Sequence, residues 1–200
     1  MKKKILGITT IRSDYDLMSG LYIRINADDN FTLKLIVAGA HLSSSYGESV
    51  ELIKKDGLKI LLEIETLINS DTRISKIKSA SLLLQNSIET IKRYNPDLII
   101  FAGDREDTII SAMIGSFLHI PTAHFYGGDH VMDGNVDNPI RHAVSKLSSF
   151  HFVSTKVHFD RLISIGENID RIYNIGSMAL DNFKNHQPMP LKKIISNFSL

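Results

Sequence analysis

The sequence predicts an α/β fold in which a parallel β-sheet carries helices on both of its faces. Short, almost wholly apolar runs rich in β-branched residues recur along the chain, and a segment with helical spacing follows most of them. Buried strands joined by helical crossovers are the pattern of a Rossmann-like sheet. With 43% hydrophobic residues in 200, the chain can bury one core, so its length favours one domain over two.

Six apolar runs have the length and composition of buried strands, and a seventh run is a shorter candidate. The predicted strands cover residues 4–9, 32–38, 97–102, 120–125, 150–154 and 171–175, and the shorter candidate covers 58–62.

Helices are predicted where apolar residues recur at spacings of three and four between these strands. The first, over 13–25, begins with Ser13 followed three residues later by Asp16, the spacing of an N-terminal capping box. The others cover residues 73–94, 104–118, 138–147 and 155–165, and Gly166 suits the C-terminal cap of the last.

The end of the chain departs from this alternation. From Asp181 onward strong periodicity is lost, two prolines follow, and a helical pattern starts at 191–198. We therefore expect a domain over residues 1–183 and a linker over 184–200 that begins the connection to a second, C-terminal domain.

Composition excludes several classes of function. The formal charge of +1 gives no general attraction to nucleic acid or membrane. Because cysteine is absent, disulfides, thiolate catalysis and cysteine-ligated metals are excluded. The apolar run after the N-terminal lysines is too short for a signal peptide, and none approaches the roughly 20 residues that span a bilayer, so a cytoplasmic protein is expected.

Candidate site residues follow the predicted strands, because ligands of open parallel sheets bind at the carboxyl ends of the strands. Arg12 lies at a helix N-terminus suited to phosphate, and Asp16 fits either a ligand contact or a cap. His41 follows the second strand, where a histidine is as often a bystander as a ligand. Asp104 and Arg105 belong to a stretch with three carboxylates, more than a helix cap requires.

The densest cluster of ionisable groups follows the strand at 120–125. Its glycine pair, Gly127-Gly128, lets a ligand approach the backbone, and nearby carboxylates can acquire separate acid and base roles. Asn138 has a second explanation as the N-cap before Pro139. The candidates in this cluster are Tyr126, Asp129, Asp137, Asn138, Arg141 and His142.

Motifs for other chemistries are missing from the sequence. It has no His-Glu-x-x-His pair, no Gly-x-Gly-x-x-Gly turn, no lysine-bearing phosphate loop and no Gly-x-Ser-x-Gly elbow. We therefore expect neither a metal nor a cofactor.

Taken in order, the polar segments resemble the signature of hydrolysing UDP-N-acetylglucosamine 2-epimerases of the sialic and legionaminic acid branch. The segments that carry the resemblance are Arg12-Ser13-Asp14-Tyr15, His41-Leu42, Gly103-Asp104-Arg105-Glu106, Gly127-Gly128-Asp129, Asp137-Asn138-Pro139-Ile140-Arg141-His142-Ala143 and Lys146-Leu147-Ser148. The resemblance covers the chain to residue 183.

The resemblance implies the N-terminal half of a GT-B fold, in which two Rossmann-like domains face each other across a cleft. It implies a UDP-sugar substrate, a C-terminal domain or subunit that binds most of the UDP, and a homo-oligomer in the complete form. The implied reaction is anti elimination of UDP to a 2-acetamidoglucal, followed by addition of water.

The resemblance also implies residue roles. Asp104, Asp129 and Asp137 are the expected catalytic residues, and Arg12 and Arg105 are expected near the pyrophosphate. The remaining expected substrate contacts are Asp16, His41, Tyr126, Asn138, Arg141 and His142.

Three positions depart from the family pattern. Tyr126 stands where several members have a catalytic glutamate, Asp129 where glutamate is usual, and Asn138 where a second acid is usual. An amide cannot act as a general base, so the departures suggest a changed substrate, such as a diacetamido sugar, or reduced activity.

Two other functions stay open at this point. One is a non-catalytic module that binds a sugar nucleotide or a partner. The other is a fragment of a GT-B glycosyltransferase, which shares the architecture without needing the Asp104 and Asp137 motifs.

Overall fold

A computed structural model describes residues 2–70, 72–132, 136–181 and 190–198 of the chain. In the described chain seven parallel strands form one sheet in the order β3-β2-β1-β4-β5-β6-β7. The strands are β1 (Lys3–Thr9), β2 (Phe31–Ala38), β3 (Ile60–Ile64), β4 (Leu98–Ala102), β5 (Thr122–Phe125), β6 (Phe150–Val153) and β7 (Ile172–Asn174). The predicted fold class is confirmed, and the shorter strand candidate corresponds to β3, which begins two residues later than predicted.

A helix connects each strand to the next one along the chain, as expected for parallel pairing, and a further helix follows the last strand. They are α1 (Arg12–Ala27), α2 (Val50–Lys55), α3 (Arg73–Tyr94), α4 (Glu106–Phe117), α5 (Asp137–Leu147), α6 (Lys156–Ser164) and α7 (Leu191–Phe198). The sequence analysis did not predict α2, because a helix of six residues is too short to establish a period.

Two hydrophobic cores lie on the two faces of the sheet. On one face, Tyr15, Met18 and Tyr22 of α1 and Ile53 of α2 pack against β1, β2 and β4. On the other face, α3, α4 and α5 pack against alternate residues of the same strands. Because successive residues of a strand point to opposite faces, strands covered on both sides must be apolar throughout, as their sequences are.

Two predicted helix caps are wrong. Helix α1 begins at Arg12 with Ile11 as its N-cap and no side-chain cap bond, so Ser13 lies inside the first turn rather than in a capping box. Helix α5 begins at Asp137 with Val136 as its N-cap, so Asn138 lies inside that helix. In both cases the helix begins one residue before the residue that the cap pattern selected.

The predicted cap at Gly166 is confirmed. This glycine follows α6 with a left-handed φ of 86°, a conformation that glycine adopts without steric cost. The predicted helix at 191–198 corresponds to α7, whereas the predicted domain boundary between 183 and 184 lies outside the described residues. No helix in the described ranges has the length and apolar character needed to span a membrane.

The strand order reverses between β1 and β4, which are neighbours in the sheet but far apart in sequence. The helices that follow these two strands leave toward opposite faces, so a crevice opens between their carboxyl ends. We call this region the switch-point crevice.

Candidate functional site

Two aspartates meet in the switch-point crevice. Asp14 comes from the first turn of α1, and its Oδ1 lies 3.7 Å from the position that a Cβ on Gly103 would occupy. Asp107 comes from the first turn of α4 and accepts a 2.6 Å hydrogen bond from the Thr10 hydroxyl. The Nε of Arg105 lies 3.6 Å from Oδ1 of Asp107. The crevice therefore holds two carboxyl groups and one guanidinium.

Both carboxyl groups of the crevice titrate above their usual range. Burial, and then the charge of Asp107, raise the pKa of Asp14 to about 7, and Arg105 opposes that rise. Burial also raises the pKa of Asp107, against the hydrogen bond from Thr10. Desolvation disfavours the ionised form, and a neighbouring carboxylate disfavours it further, so Asp14 is poised to hold a proton near neutral pH.

A second group of acids lies at the ends of β4 and β5, where Arg141 joins them. Arg141 reaches from α5 and forms an ion pair with Asp104 through Nη2 and with Asp129 through Nη1, the latter at 3.2 Å. Its Nη1 also donates to the Tyr126 carbonyl oxygen at 3.2 Å. We call Arg141, Asp104 and Asp129 the arginine-linked group.

The loop after β5 is shaped by its backbone. Tyr126 has a left-handed φ of 66°, which is costly for a residue with a side chain. Gly128 has a φ of 72°, and a Cβ there would lie 2.3 Å from the His158 carbonyl oxygen. Only glycine therefore lets this loop pack against α6, where Nε2 of His158 lies 3.2 Å from Asp129.

Asn138 braces the same loop. Its side-chain oxygen accepts a 3.0 Å hydrogen bond from the Val131 amide, and its side-chain nitrogen donates to the Val131 carbonyl at 2.8 Å. This explains an amide at a buried position of α5, because a carboxylate could not make the second bond. The predicted substrate contact of Asn138 stays a prediction.

His41 is fully buried beneath the strand ends. Its ring nitrogens share hydrogen bonds with the Thr9 hydroxyl at 2.9 Å and the Ser49 hydroxyl at 2.7 Å. Burial lowers the pKa of His41 to about 4, so the ring is neutral at physiological pH. The two buried hydrogen bonds account for a histidine at position 41 and lend no support to its predicted substrate contact.

The cations predicted to bind phosphate are accessible. The Arg12 side chain is 65% exposed and lies 3.4 Å from Asp16, and Arg105 is also exposed. Asp137, at the start of α5, lines a groove of about 670 Å³ that it shares with Glu106 and Lys76. Burial lowers the pKa of His142, which lies on the same helix.

The structure thus brings together Asp104, Asp129, Tyr126 and Arg141 and places Arg105 beside the crevice. Sequence reasoning named Asp14 only as part of a motif, included Asp107 only among the three carboxylates after the strand at 97–102, and assigned neither to the site. Each lies in the first turn of a helix after a strand, and only the pairing of β1 with β4 brings the two together. Within the described ranges, no three histidine or acidic side chains converge so as to hold a metal ion.

The profile of the UDP-N-acetylglucosamine 2-epimerase family matches residues 23–198. The chain belongs to this family. It is 35% identical to GDP/UDP-N,N'-diacetylbacillosamine 2-epimerase (hydrolyzing) of Campylobacter jejuni over 92% of its length, which is 47% of that relative. It is 33% identical to UDP-N,N'-diacetylbacillosamine 2-epimerase (hydrolyzing) of Legionella pneumophila over 94% of its length, which is 49% of that relative.

Other epimerases are similar at lower identity. UDP-N-acetylglucosamine 2-epimerase of Neisseria meningitidis is 30% identical over 90% of the chain and 46% of that relative. The chain therefore spans about half the length of the curated relatives it matches.

Solved structures agree on the fold. UDP-N-acetylglucosamine 2-epimerase of Rickettsia bellii superposes with a TM-score of 0.78 at 19% identity, over all of this chain and 52% of that one. The Neisseria meningitidis enzyme bound to UDP-GlcNAc gives a TM-score of 0.76 at 16% identity, over 91% and 50% of the two chains. The galactosyltransferase WaaB gives 0.58 at 11% identity, over 86% and 45%. The chain has the fold of one half of these GT-B-like epimerases.

Proposed function

We propose that the chain is the N-terminal half of a hydrolysing UDP-sugar 2-epimerase, which converts a UDP-linked 2-acetamido sugar and water into UDP and an N-acetylmannosamine-type sugar. The observation that carries the proposal is the presence of two kinds of carboxyl group at one edge of the sheet. Asp104 is ion-paired with Arg141, whereas burial raises the pKa of Asp14 to about 7. A reaction that removes and returns a proton needs both kinds.

The proposed reaction has two stages. In the first, a base takes the proton from carbon 2 while the bond from carbon 1 to the UDP oxygen breaks, which gives a 2-acetamidoglucal and UDP. In the second, water adds its hydroxyl to carbon 1, and carbon 2 receives a proton on the opposite face. The free sugar that results is epimerised at carbon 2.

Roles for the residues follow from their surroundings. Asp104, held as a partner of Arg141, is the candidate for accepting the proton, with Asp129 and Asp137 as the other candidate catalytic carboxylates. The exposed guanidiniums of Arg12 and Arg105 are candidates for binding the pyrophosphate, because each can bind two oxygens at once. Tyr126, Asn138, His142 and Asp16 are proposed to border the sugar.

The substrate is proposed to be UDP-N-acetylglucosamine or its 2,4-diacetamido analogue. Two of the most similar relatives are named for the diacetylated sugar, at 35% and 33% identity, and another for UDP-N-acetylglucosamine at 30%. A fourth relative, at 29% identity, is named a polysialic acid biosynthesis protein, which is consistent with a product used for sialic-type acids. A C-terminal nucleotide-binding half and assembly into a homo-oligomer complete the proposal.

Incubation with both UDP-sugars tests the proposal. The chain would be assayed alone and together with a C-terminal half, with UDP release followed by phosphorus NMR and the sugar by carbon NMR. Release of UDP with an N-acetylmannosamine-type sugar is expected from the complete protein. Transfer of the sugar to an added acceptor would instead indicate a glycosyltransferase.

A binding module is the second candidate function, and the side chain of Asn138 favours it. The oxygen and the nitrogen of its amide both form hydrogen bonds with the Val131 backbone. The family pattern has an acid at position 138. Tight binding of either UDP-sugar without release of UDP, in the complete protein, would support this candidate over the epimerase.

A further inference from the structure

Arg141 is more deeply buried than expected for a residue that touches a substrate. It is 5% exposed and sits on α5, behind the ends of β4 and β5. Burial lowers the pKa of Arg141, and the charge of Arg161 adds to this effect. Burying a guanidinium in such a site is unfavourable unless interactions with its partners compensate for the loss of its hydration.

The partners of Arg141 come from two different strand ends. Asp104 follows β4, whereas Asp129 and the Tyr126 carbonyl belong to the loop after β5. One planar guanidinium offers five N–H donors in a fixed fork, so it can bind groups from both segments at once. The bond to the Tyr126 carbonyl also supports a residue with a left-handed backbone, which otherwise costs stability.

We propose that Arg141 is a positioning residue, which holds the Asp104 and Asp129 carboxylates at a fixed separation and orientation and does not itself bind the sugar nucleotide. This inference rests on the proposed function and replaces the substrate contact that the sequence suggested for Arg141. A residue that works through two catalytic candidates affects the chemical step, whereas a residue that binds the ground state affects the affinity.

Besides Asp104 and Asp129, two cationic or titratable side chains of α6 lie close to the arginine-linked group. Arg161 of α6 donates to the Gly128 carbonyl, and His158 of the same helix lies beside Asp129.

Lysine at position 141 keeps one charge but cannot form the fork, so it can bind only one carboxylate at a time.

Kinetics of the complete enzyme separate positioning from binding. R141Q is expected to lower kcat for UDP release about 100-fold or more while KM changes less than about threefold. R141K is expected to recover a minor part of kcat, and addition of guanidinium ions to R141A is expected to recover a further part. A raised KM with unchanged kcat in R141Q would overturn the inference and assign Arg141 to substrate binding.

Lys146→Gln is the matched control. Lys146 lies on the same helix and forms a 2.9 Å ion pair with the buried carboxylate of Glu167, away from the arginine-linked group. Both variants break an ion pair of a shielded carboxylate, so both are expected to lower Tm. Only R141Q is expected to lower kcat at a temperature where both variants are folded. An equal loss of kcat in K146Q would show that general destabilisation explains the result.

A structural measurement keeps the inference testable even if no complete enzyme releases UDP. In nitrogen-15 NMR of the 200-residue chain, the Arg141 guanidinium is expected to rotate slowly and to show resolved Nη protons. D104N and D129N are each expected to speed this rotation. A freely rotating guanidinium in the wild-type chain would overturn the positioning role, whereas lack of UDP release would count only against the proposed function.

Discussion

The two groups of carboxyl side chains at the carboxyl edge of the sheet differ in their distance from a cation. In the switch-point crevice, the charge of Asp107 acts on Asp14, and the Nε of Arg105 lies 3.6 Å from Oδ1 of Asp107. In the arginine-linked group, Asp104 and Asp129 both contact a buried guanidinium. Burial and mutual repulsion thus favour the protonated form of the aspartates in the switch-point crevice, whereas the aspartates of the arginine-linked group are paired with a positive charge.

The proposed function would use this contrast to supply an acid and a base from aspartate side chains. Desolvation without a close cation raises the pKa of Asp14, whereas a direct ion pair favours the charged form of a carboxyl group. Acid and base roles are usually assigned to a pair of titratable groups whose surroundings make their pKa values differ. The predictions below disturb one group at a time, beginning with the largest expected effect.

Asp104→Asn in the complete enzyme tests the arginine-linked group most directly. The amide keeps the size of the side chain but removes the proton acceptor and the ion pair with Arg141. Release of UDP is expected to fall about 10³-fold, the scale of general-base catalysis. Turnover near that of the wild type, measured by phosphorus NMR, would remove Asp104 from the catalytic residues.

Gly128→Ala disturbs the same group without changing a charge. A Cβ at Gly128 would lie 2.3 Å from the His158 carbonyl oxygen, so the loop that carries Asp129 must move away from α6. Gly47→Ala is the control, because Gly47 has a similar φ of 80° and nothing within 4 Å of its Cβ position.

The two variants separate backbone strain from steric overlap. Gly47→Ala is expected to cost about 1 kcal/mol, the strain of a left-handed residue with a Cβ. Gly128→Ala is expected to cost about 3 kcal/mol or more and to lower UDP release as well. Equal changes of Tm in thermal unfolding would mean that contact with α6 does not hold the loop.

Much of this arrangement could be predicted from the sequence, because strands and long helices are local patterns. The apolar runs located all seven strands, and the segments after them contained the side chains that now line the edge. The order of the strands could not be read in this way, since nothing local states that β1 pairs with β4. The meeting of Asp14 with Asp107 depends on that pairing and was missed for this reason.

Burial was the second quantity that the sequence could not supply. His41 and Arg141 both follow the pattern of site residues, but one is enclosed by hydroxyl groups and the other by carboxylates. The N-cap prediction for Asn138 failed for a related reason. Asn138 is typical of a helix start, yet its amide is used to brace a loop seven residues earlier in the chain.

Asp14→Asn tests the crevice through the pH dependence of stability. Because the pKa of Asp14 is raised from 3.8 to about 7 in the folded protein, its proton stabilises the fold fully below about pH 4. That contribution is lost as the pH rises through about 7. The variant cannot ionise, so its gain in Tm over the wild type is expected to be about 5 °C larger at pH 8 than at pH 5.

Asp160→Asn is the control for this experiment, since Asp160 is exposed and forms an ion pair with Lys156, one turn earlier on the same helix. Its Tm difference from the wild type is expected to be small at both pH values, as for other exposed ion pairs. A Tm difference for Asp14→Asn that is the same at pH 5 and pH 8 would show that Asp14 ionises normally.

Thr10→Val is expected to have the smallest effect, because it changes one hydrogen bond within the crevice. The Thr10 hydroxyl donates to Asp107 at 2.6 Å and opposes the rise that burial causes in the pKa of Asp107. Without that donor the pKa of Asp107 should rise further, because one of the interactions that lower it is removed. Carbon-13 titration of the aspartate carboxyl groups measures this shift, and Thr10→Ser, which keeps the donor, should titrate like the wild type. If Thr10→Val leaves the Asp107 titration unchanged, then burial and charge alone set the protonation of the crevice, and the contrast with the arginine-linked group depends on how closely a guanidinium approaches each carboxyl group.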